Sequence, residues 1–438
     1  MARALMTLLT AAFLVTGPPV VAQGSATCFG RPATIVGTDG EDRIKGTDGP
    51  DVIVGGDGAD DISAGGGDDL VCAGPGQTQE YDEEWNEYYY RGDYVDAGDG
   101  DDRIDGGPGP NELWSGEGDD YILGSDMRER VLAGRGNDEI DIGDGGGSVW
   151  ADAGADSITT GAGDHEINAG RGADSIVAGP GDDEIFPAQG SDTVDAGEGV
   201  DMLNLYWVSC DSGCLSSHRR DLEVDLVAGY ARGMGNDAIA GFENVYGGGG
   251  NDEIYGTDGP NLLSAQDEQG PGDDHNVVDG RGGDDHLMSG TGPDTLVGGE
   301  GRDLLTFVVN DDTDRVDLAE GIAIGDSKDR LDGIEDVIAT ADVIVGDDGP
   351  NMLVSTYGGV RMRGGGGDDE LRGAEGSDSI KGNEGNDVIY GERGNDRLRG
   401  GAGDDTIYGG KGKNEIDGGE GTDTCVRPGP EDGARYCE

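Results

Sequence analysis

Single apolar residues recur at a fixed interval of nine along most of this chain. Toward the C-terminal end they are Leu353, Met362, Leu371, Ile380, Ile389, Leu398 and Ile407, and six of these seven have an acid or asparagine two positions earlier. The same phase runs unbroken from Ala97 to Asn204 through Ile104, Leu113, Ile122, Val131, Ile140, Val149, Ile158, Ile167, Ile176, Ile185, Val194 and Leu203. It also holds at Ile44, Ile53, Ile62 and Val71 near the start, and at Ile254, Leu263, Leu287, Leu296 and Leu305 in a central block. About thirty copies of the unit can be counted, several of them degenerate.

Within a unit such as GGAGDDTIY (Gly400 to Tyr408), the first six residues form turns and the last three have strand character. Strand alternation turns the single aliphatic residue inward and its two neighbours outward. Glycine at the turn permits positive φ and lets main-chain carbonyls curl toward the interior. Two units then make one flat coil, and stacked coils align the aliphatic residues into a narrow ladder.

Three stretches interrupt the series. The first, QTQEYDEEWNEYYYR (Gln77 to Arg91), is a loop within one repeat, because the register of Cys72 resumes at Gly92 once it is removed. The other two, 205–246 and 307–345, resemble each other. VDLVAGYARGMGNDAIAGFENV from Val224 aligns without a gap on VDLAEGIAIGDSKDRLDGIEDV from Val316 with ten identities, pairing Asp225 with Asp317, Gly229 with Gly321, Asp237 with Asp329 and Glu243 with Glu335. Each reads as a wider coil, strand–glycine turn–strand, that continues the stack; both are short for an independent core. The expected organisation is therefore a signal peptide (1–26), an N-terminal roll with an acidic aromatic loop (27–204, loop 77–91), a wider coil (205–246), a short central roll (247–306), a second wider coil (307–345), a C-terminal roll (346–426) and a tethered tail (427–438).

Composition changes the picture in one respect. A net charge of −64 with few aromatics would ordinarily leave a chain disordered. It makes nucleic acid an unsuitable partner and rules out a large mixed core. The first residues, with Arg3, an apolar run from Ala4 to Val15 and small residues suited to cleavage after Ala22 or Ala26, read as a secretory signal peptide, and no later run is long enough to span a bilayer. Six cysteines in an exported chain fit three disulfides, for which spacing and position suggest Cys28–Cys72, Cys210–Cys214 and Cys425–Cys437.

One aliphatic residue in nine cannot offset the ordering of the other eight together with the repulsion of stacked aspartates. Asp387 and Asp405, two units apart, would lie on neighbouring coils at about the 4.8 Å strand spacing. A hard divalent cation removes the conflict. Ca²⁺ takes 6–8 oxygen ligands, which inward carbonyls and two aspartates can supply, whereas Mg²⁺ demands tight octahedral geometry. Zinc would need clustered His or Cys, and the four histidines are scattered. One Ca²⁺ per turn would carry a charge of roughly +60, close in size to the net negative charge and an upper bound on occupancy.

Units such as GGGGNDEIY (Gly247 to Tyr255), GGAGDDTIY and GGGGDDELR (Gly364 to Arg372) resemble the calcium-binding nonapeptide repeats of the RTX, or hemolysin-type, family. The resemblance implies an all-β fold, a parallel β-roll or β-helix solenoid with Ca²⁺ between turns of successive coils. It also implies metal binding by the sixth residue of each unit. Those residues are Asp42, Asp51, Asp60 and Asp69; Asp102, Asp120, Asp138, Asp156, Asp174, Asp183, Asp192 and Asp201; Asp252, Asp285, Asp294 and Asp303; and Asp369, Asp378, Asp387, Asp396, Asp405 and Asp423. Several sixth positions are not aspartate: Asn111, Glu129, Gly147, His165, Asn261, Val360 and Asn414. The first four of these fall on alternate units, so the expectation is one complete calcium row and one row broken between Glu129 and His165. An N-terminal export signal also departs from family members that leave by a C-terminal signal.

No catalytic constellation emerges. HEINA at His165 lacks the second histidine of a zinc protease, and no G-x-S-x-G elbow occurs. The clustered aromatics Tyr81, Trp85, Tyr88, Tyr89, Tyr90 and Tyr94 are the candidate surface for a glycan or protein partner. The reading is a secreted, extracellular, non-enzymatic protein whose cofactor is Ca²⁺ at multiple sites and whose folding is coupled to the metal. A calcium-stabilised adhesin or matrix protein is the alternative.

Overall fold

The computed structural model describes residues 26–76, 78–82, 87–206, 220–266, 274–308, 314–325, 327–426, 433–435 and 437. The expected signal peptide up to Ser25, the Cys210–Cys214 pair and Trp85 lie outside the described residues. The chain divides into two compact units, Met1–Gly179 and Pro180–Glu438. Both are all-β, with parallel strands stacked as a β-solenoid, and the described residues contain no helix.

In the first unit, strands pair in parallel with partners two repeats away. Ile104 of Arg103–Asp105 lies beside Ile122, Ile122 beside Ile140, and Ile140 beside Ile158. The intervening repeats form a second sheet, in which Leu113 lies beside Val131 and Val131 beside Val149. Alternate repeats thus build opposite sheets, so the nine-residue sequence period becomes an eighteen-residue register. The ladder residues of both sheets are buried. Their neighbours point outward: in Arg103–Asp105 and Glu139–Asp141 only the middle residue is buried. The 77–91 loop contains an antiparallel hairpin, Thr78–Asp82 with Glu87–Arg91. It leaves the stack undisturbed, since Val95 pairs with Ile62 across it. Cys28 and Cys72 form a disulfide at the start of this unit.

The second unit repeats the arrangement from Glu184–Phe186 onward and contains both wider coils. Each is a three-strand meander rather than a strand pair. Val224 pairs antiparallel with Ala231 and Tyr230 antiparallel with Ala238, while the outer strands pair in parallel with the repeats on either side, Ile239 with Val194 and Val224 with Ile254. The second wider coil does the same through Val316, Ala323 and Leu331, between Leu296 and Ile344. Alanine is the buried residue of the middle strand in both. The turn between the first two strands is made by the aligned aspartates: Asp225 Oδ1 accepts from the Val227 and Ala228 amides, and Asp317 Oδ1 from Glu320. Gly229 and Gly321 follow with φ of +74° and +65°, a conformation that costs glycine little. Cys425 and Cys437 are bonded near the C-terminal end.

The turns are tight because coils approach through backbone. At Gly118, with φ of +142°, a side chain would collide with the carbonyl of Gly100 one coil away. A second ladder runs along the exposed fifth position of the units. Asp68 accepts the amide of Asp101, Asp101 that of Asp119, and Asp119 that of Asn137; Asp368, Asn386 and Asp404 do likewise for the next coil. The core of each unit is a narrow aliphatic column per sheet, flanked in several repeats by buried alanines such as Ala97, Ala133, Ala151 and Ala196. Ile122→Ala, at a fully buried rung, is expected to destabilise the protein by about 2–5 kcal/mol, measured by chemical denaturation.

Candidate metal-binding turns

The sixth residue of each unit sits just before the strand, where its side chain turns into the coil edge. Its Oδ1 accepts the main-chain N–H of the matching residue one coil earlier. In the first unit this produces a continuous series, Asp51→Asp69→Asp102→Asp120→Asp138→Asp156→Asp174, with N···O distances of 2.7–2.9 Å. The other turn of the same coils carries Asp42, Asp60, Asp93 and Asn111, and then Glu129, Gly147 and His165. In the second unit one row runs Asn351→Asp369→Asp387→Asp405→Asp423 and another links Val360, Asp378, Asp396 and Asn414. Shorter runs join Asp183 to Asp201, Asp252 through Asn276 to Asp294, and Asn261 through Asp285 to Asp303.

That hydrogen bond uses one carboxylate oxygen. The other, Oδ2, is buried without a hydrogen-bond partner in Asp60, Asp69, Asp102, Asp120, Asp138, Asp156, Asp201, Asp252, Asp285, Asp294, Asp303, Asp369, Asp378, Asp387, Asp405 and Asp423. Burying an ionised oxygen without compensation is costly. Desolvation accordingly raises Asp102, Asp138, Asp156, Asp252, Asp285 and Asp369 from 3.8 to about 7, and Asp60, Asp69, Asp120, Asp201, Asp294, Asp387 and Asp405 to about 6, with the backbone hydrogen bond acting in the opposite direction.

The space beside Oδ2 suits a hard cation. At Gly391 an added Cβ would lie 2.8 Å from both Asp396 Oδ2 and the Gly409 carbonyl oxygen of the next coil and 3.1 Å from a Leu398 methyl, and Ca²⁺ takes oxygen ligands at 2.3–2.6 Å. At Gly373 it would lie 2.5 Å from Asp378 Oδ2 and 3.2 Å from the Gly391 carbonyl. No group of three or more His, Cys, Asp or Glu side chains that could hold a metal occurs among the described residues. A turn of this kind offers carboxylates together with main-chain carbonyls. The first position of the unit is glycine in some repeats of both units, such as Gly46, Gly55, Gly382 and Gly400, and alanine in others, such as Ala97, Ala133, Ala151 and Ala196.

Not every sixth residue is in this state. Asp42 and Asp51 already have Oδ2 satisfied by Thr38 and Thr47, whose hydroxyls donate at 2.8 and 2.9 Å. Asparagines close the turn themselves. Asn111 Nδ2 donates to the carbonyls of Gly106 and Gly107 at 3.0 Å, Asn414 to Gly409 at 2.6 Å, Asn261 to Glu243 at 2.6 Å and Asn351 to Glu335 at 2.8 Å. Each amide thus satisfies a carbonyl oxygen and supplies a donor where aspartate has a bare oxygen. Glu129 takes a hydrogen bond from Ser125 at 2.6 Å, and desolvation raises it to about 8. His165 lies 3.3 Å from the Gly143 carbonyl. The departures do concentrate on one row of the first unit.

Several residues in the same positions were not among the expected ligands. Asp93 stands two before Val95 and accepts the Asp60 amide; the 77–91 loop separates it from the rest of its unit. Asp237 and Asp329, two before Ile239 and Leu331, accept from Asp192 and Asp294 inside the wider coils, where the glycine pattern is absent. Glu243 and Glu335 take the sixth place at the end of each wider coil and accept from Asp201 and Asp303. The gap-free alignment of the two inserts was the signal for all four.

The family model for the RTX calcium-binding nonapeptide repeat matches residues 36–71, 96–126, 141–176, 168–203, 237–267, 272–314, 363–398 and 393–425, more than half of the chain. The chain belongs to the RTX calcium-binding nonapeptide repeat family. A search of curated proteins found no match. The repeats imply calcium binding by this RTX protein, and bare carboxylate oxygens facing glycine carbonyls fit that ion. Among the described residues no helix is long and apolar enough to cross a membrane.

The raised pKa values set a pH dependence. Between the unfolded value near 3.8 and the folded values of about 6–7, the folded chain holds more protons than the unfolded one. Stability without calcium is therefore highest below pH 4 as far as these groups are concerned and declines as pH rises through 6–7. In chelator, lowering the pH from 7.5 to 5 is expected to increase the β signal in circular dichroism. With calcium present, apparent affinity is expected to fall over the same interval because protons compete for the carboxylates.

Proposed function

We propose that this RTX protein is a secreted, non-enzymatic calcium-binding protein that folds by taking Ca²⁺ at multiple turns. The observation that carries the reading is the column of buried Oδ2 atoms without hydrogen bonds, repeated down the turns of both units. Ca²⁺, when bound, would supply charge neutralisation, and the sixth-position carboxylates with nearby main-chain carbonyls would hold it. The chain's part is to hold Oδ1 through the amide of the neighbouring coil, so that Oδ2 is oriented before the metal arrives. The stacked state presents these oxygens together and the open chain does not, so binding stabilises the fold by mass action. Export into a calcium-rich medium would then be the folding signal, and the Cys28–Cys72 and Cys425–Cys437 disulfides accord with an oxidising compartment.

The decisive experiment is a calcium titration of the mature protein followed by circular dichroism, with magnesium as control. A cooperative gain of β signal with calcium alone is expected. A chain fully β-structured in chelator and unresponsive to calcium would overturn the reading.

The asparagine turns provide a finer test. Asp387→Asn keeps the Oδ1 acceptor and adds a donor, so bound calcium measured by equilibrium dialysis should decrease and less calcium should be needed for folding. Asn414→Asp should do the reverse, adding bound calcium and making the C-terminal turns depend on it.

A further inference from the structure

One outward face of the second unit carries a concentration of positive charge that the repeat does not require. The adjacent parallel strands Arg361–Gly365, Ser379–Glu384 and Arg397–Ala402 place Arg363 beside Lys381 and Lys381 beside Arg399, with Arg361, Ser379 and Arg397 in the parallel row. Arg397 and Arg399 pair with Glu415 and Asp417 on the next strand, and Arg315 pairs with Asp317 and Glu320 on the other side. Arg361, Arg363 and Lys381 between these margins make no ion pair among the described residues. Arg361 and Arg363 are exposed, and a shallow groove floored by Val343 and Val345 runs beside them.

Three cations on successive strands lie about 4.8 Å apart, and like charges directly opposite destabilise a sheet. Elsewhere on the outer faces several arginines are set against an acid, Arg43 against Asp61, Arg130 against Glu112, Arg232 against Glu223 and Arg393 against Glu375, while Arg103 lies between Leu70 and Tyr121. In a chain with 93 acidic and 29 basic side chains, an acid at one of these positions would have been readily available. Stability therefore does not account for Arg361, Arg363 and Lys381, the three cations of the strip without an acid partner among the described residues.

We propose that this strip binds a linear acidic polysaccharide, one carboxylate or sulfate per sugar ring, laid along the stacking direction of the coils. The strip is two outward residues wide, about 7 Å, and the turns on either side of each strand carry the aspartate rows. A nucleic-acid duplex or a lipid surface would overlap those acidic edges, whereas a single extended chain avoids them. One pyranose ring advances such a chain by a distance similar to one strand spacing, so successive anions meet Arg363 and Lys381 in turn, with Arg399, held by Asp417, at the margin. The guanidinium forks of Arg361 and Arg363 suit carboxylate and sulfate groups bidentately, and Val343 and Val345 offer an apolar floor for a ring face.

The test uses the full mature chain at fixed excess free calcium, so that a polyanion cannot remove metal from the protein. Affinity electrophoresis and calorimetry would compare polygalacturonate and dextran sulfate with neutral dextran, duplex DNA and phosphatidylserine vesicles. Binding to the two acidic glycans but not to dextran is expected, weakening with salt. The double variant R363Q/K381Q should lose at least tenfold in affinity, whereas R130Q in the first unit should not. Because the double variant removes like-charge repulsion, its thermal midpoint without glycan should be equal to or above that of the parent. Absence of glycan binding, equal binding by the double variant, or stronger binding to DNA or vesicles would overturn the proposal; so would a lower midpoint, which would give the row a structural role.

Discussion

The structure depends on a divided carboxylate. One oxygen of each sixth-position aspartate accepts an amide from the neighbouring coil, and the other is buried without a hydrogen bond, as in Asp120, Asp138 and Asp156. The first bond fixes coil-to-coil register and makes the side chain part of the backbone ladder. The second oxygen leaves the coil incomplete. A narrow apolar column is a weak counterweight to many such oxygens, so the residue that sets the register also carries the unsatisfied oxygen that a proton or cation would compensate. The two roles sit on different atoms of one side chain: Asn111 and Asn414 keep the register bond through Oδ1 without presenting a bare carboxylate oxygen.

Much of this was legible in the sequence because the period is rigid. Ile104, Ile122, Ile140 and Ile158 are buried in one sheet while Leu113 and Val131 are buried in the other, as the alternation of nine-residue units requires. What the sequence concealed lies where phase and composition part company. Asp93 was hidden by fifteen inserted residues between it and the glycines of its unit. Asp237 and Asp329 were hidden because the wider coils reach the sixth position without the glycine-rich turn. The antiparallel middle strand at Ala231 and Ala323 had no periodic signature of its own, since one small buried residue between two glycine turns reads equally well as a single long strand or as two.

The two wider coils show how a one-dimensional stack accepts an insertion. Each adds two strands to one sheet and none to the other, and each ends on a glutamate whose main-chain carbonyl is held by the next asparagine on that row, Glu243 by Asn261 and Glu335 by Asn351. The longer glutamate side chain still accepts the amide of the previous coil, from Asp201 and Asp303. Inserted length is thereby absorbed on one side, and the following turn is closed by an amide of the chain itself.

Under the proposed coupling to calcium, the turns would differ in their dependence on metal. Turns closed by Asn111, Asn261, Asn351 and Asn414, and those at Asp42 and Asp51 with threonine donors, complete their own hydrogen bonding. Turns at Asp369, Asp387 and Asp405 do not. The self-closed turns fall near the beginning of the stack, after each insertion and near the C-terminal cysteines. In a repeat protein each coil is stabilised by its neighbours, so a few turns that need no ion give the others an ordered edge on which to close. A uniform array of bare aspartates would have to gather its first ions on an open chain, at the full entropic cost of ordering it. Under the proposed coupling, interspersed asparagines would reduce that cost without adding charge, so that amide and carboxylate at one position, differing by a single atom, would divide the work of folding this chain.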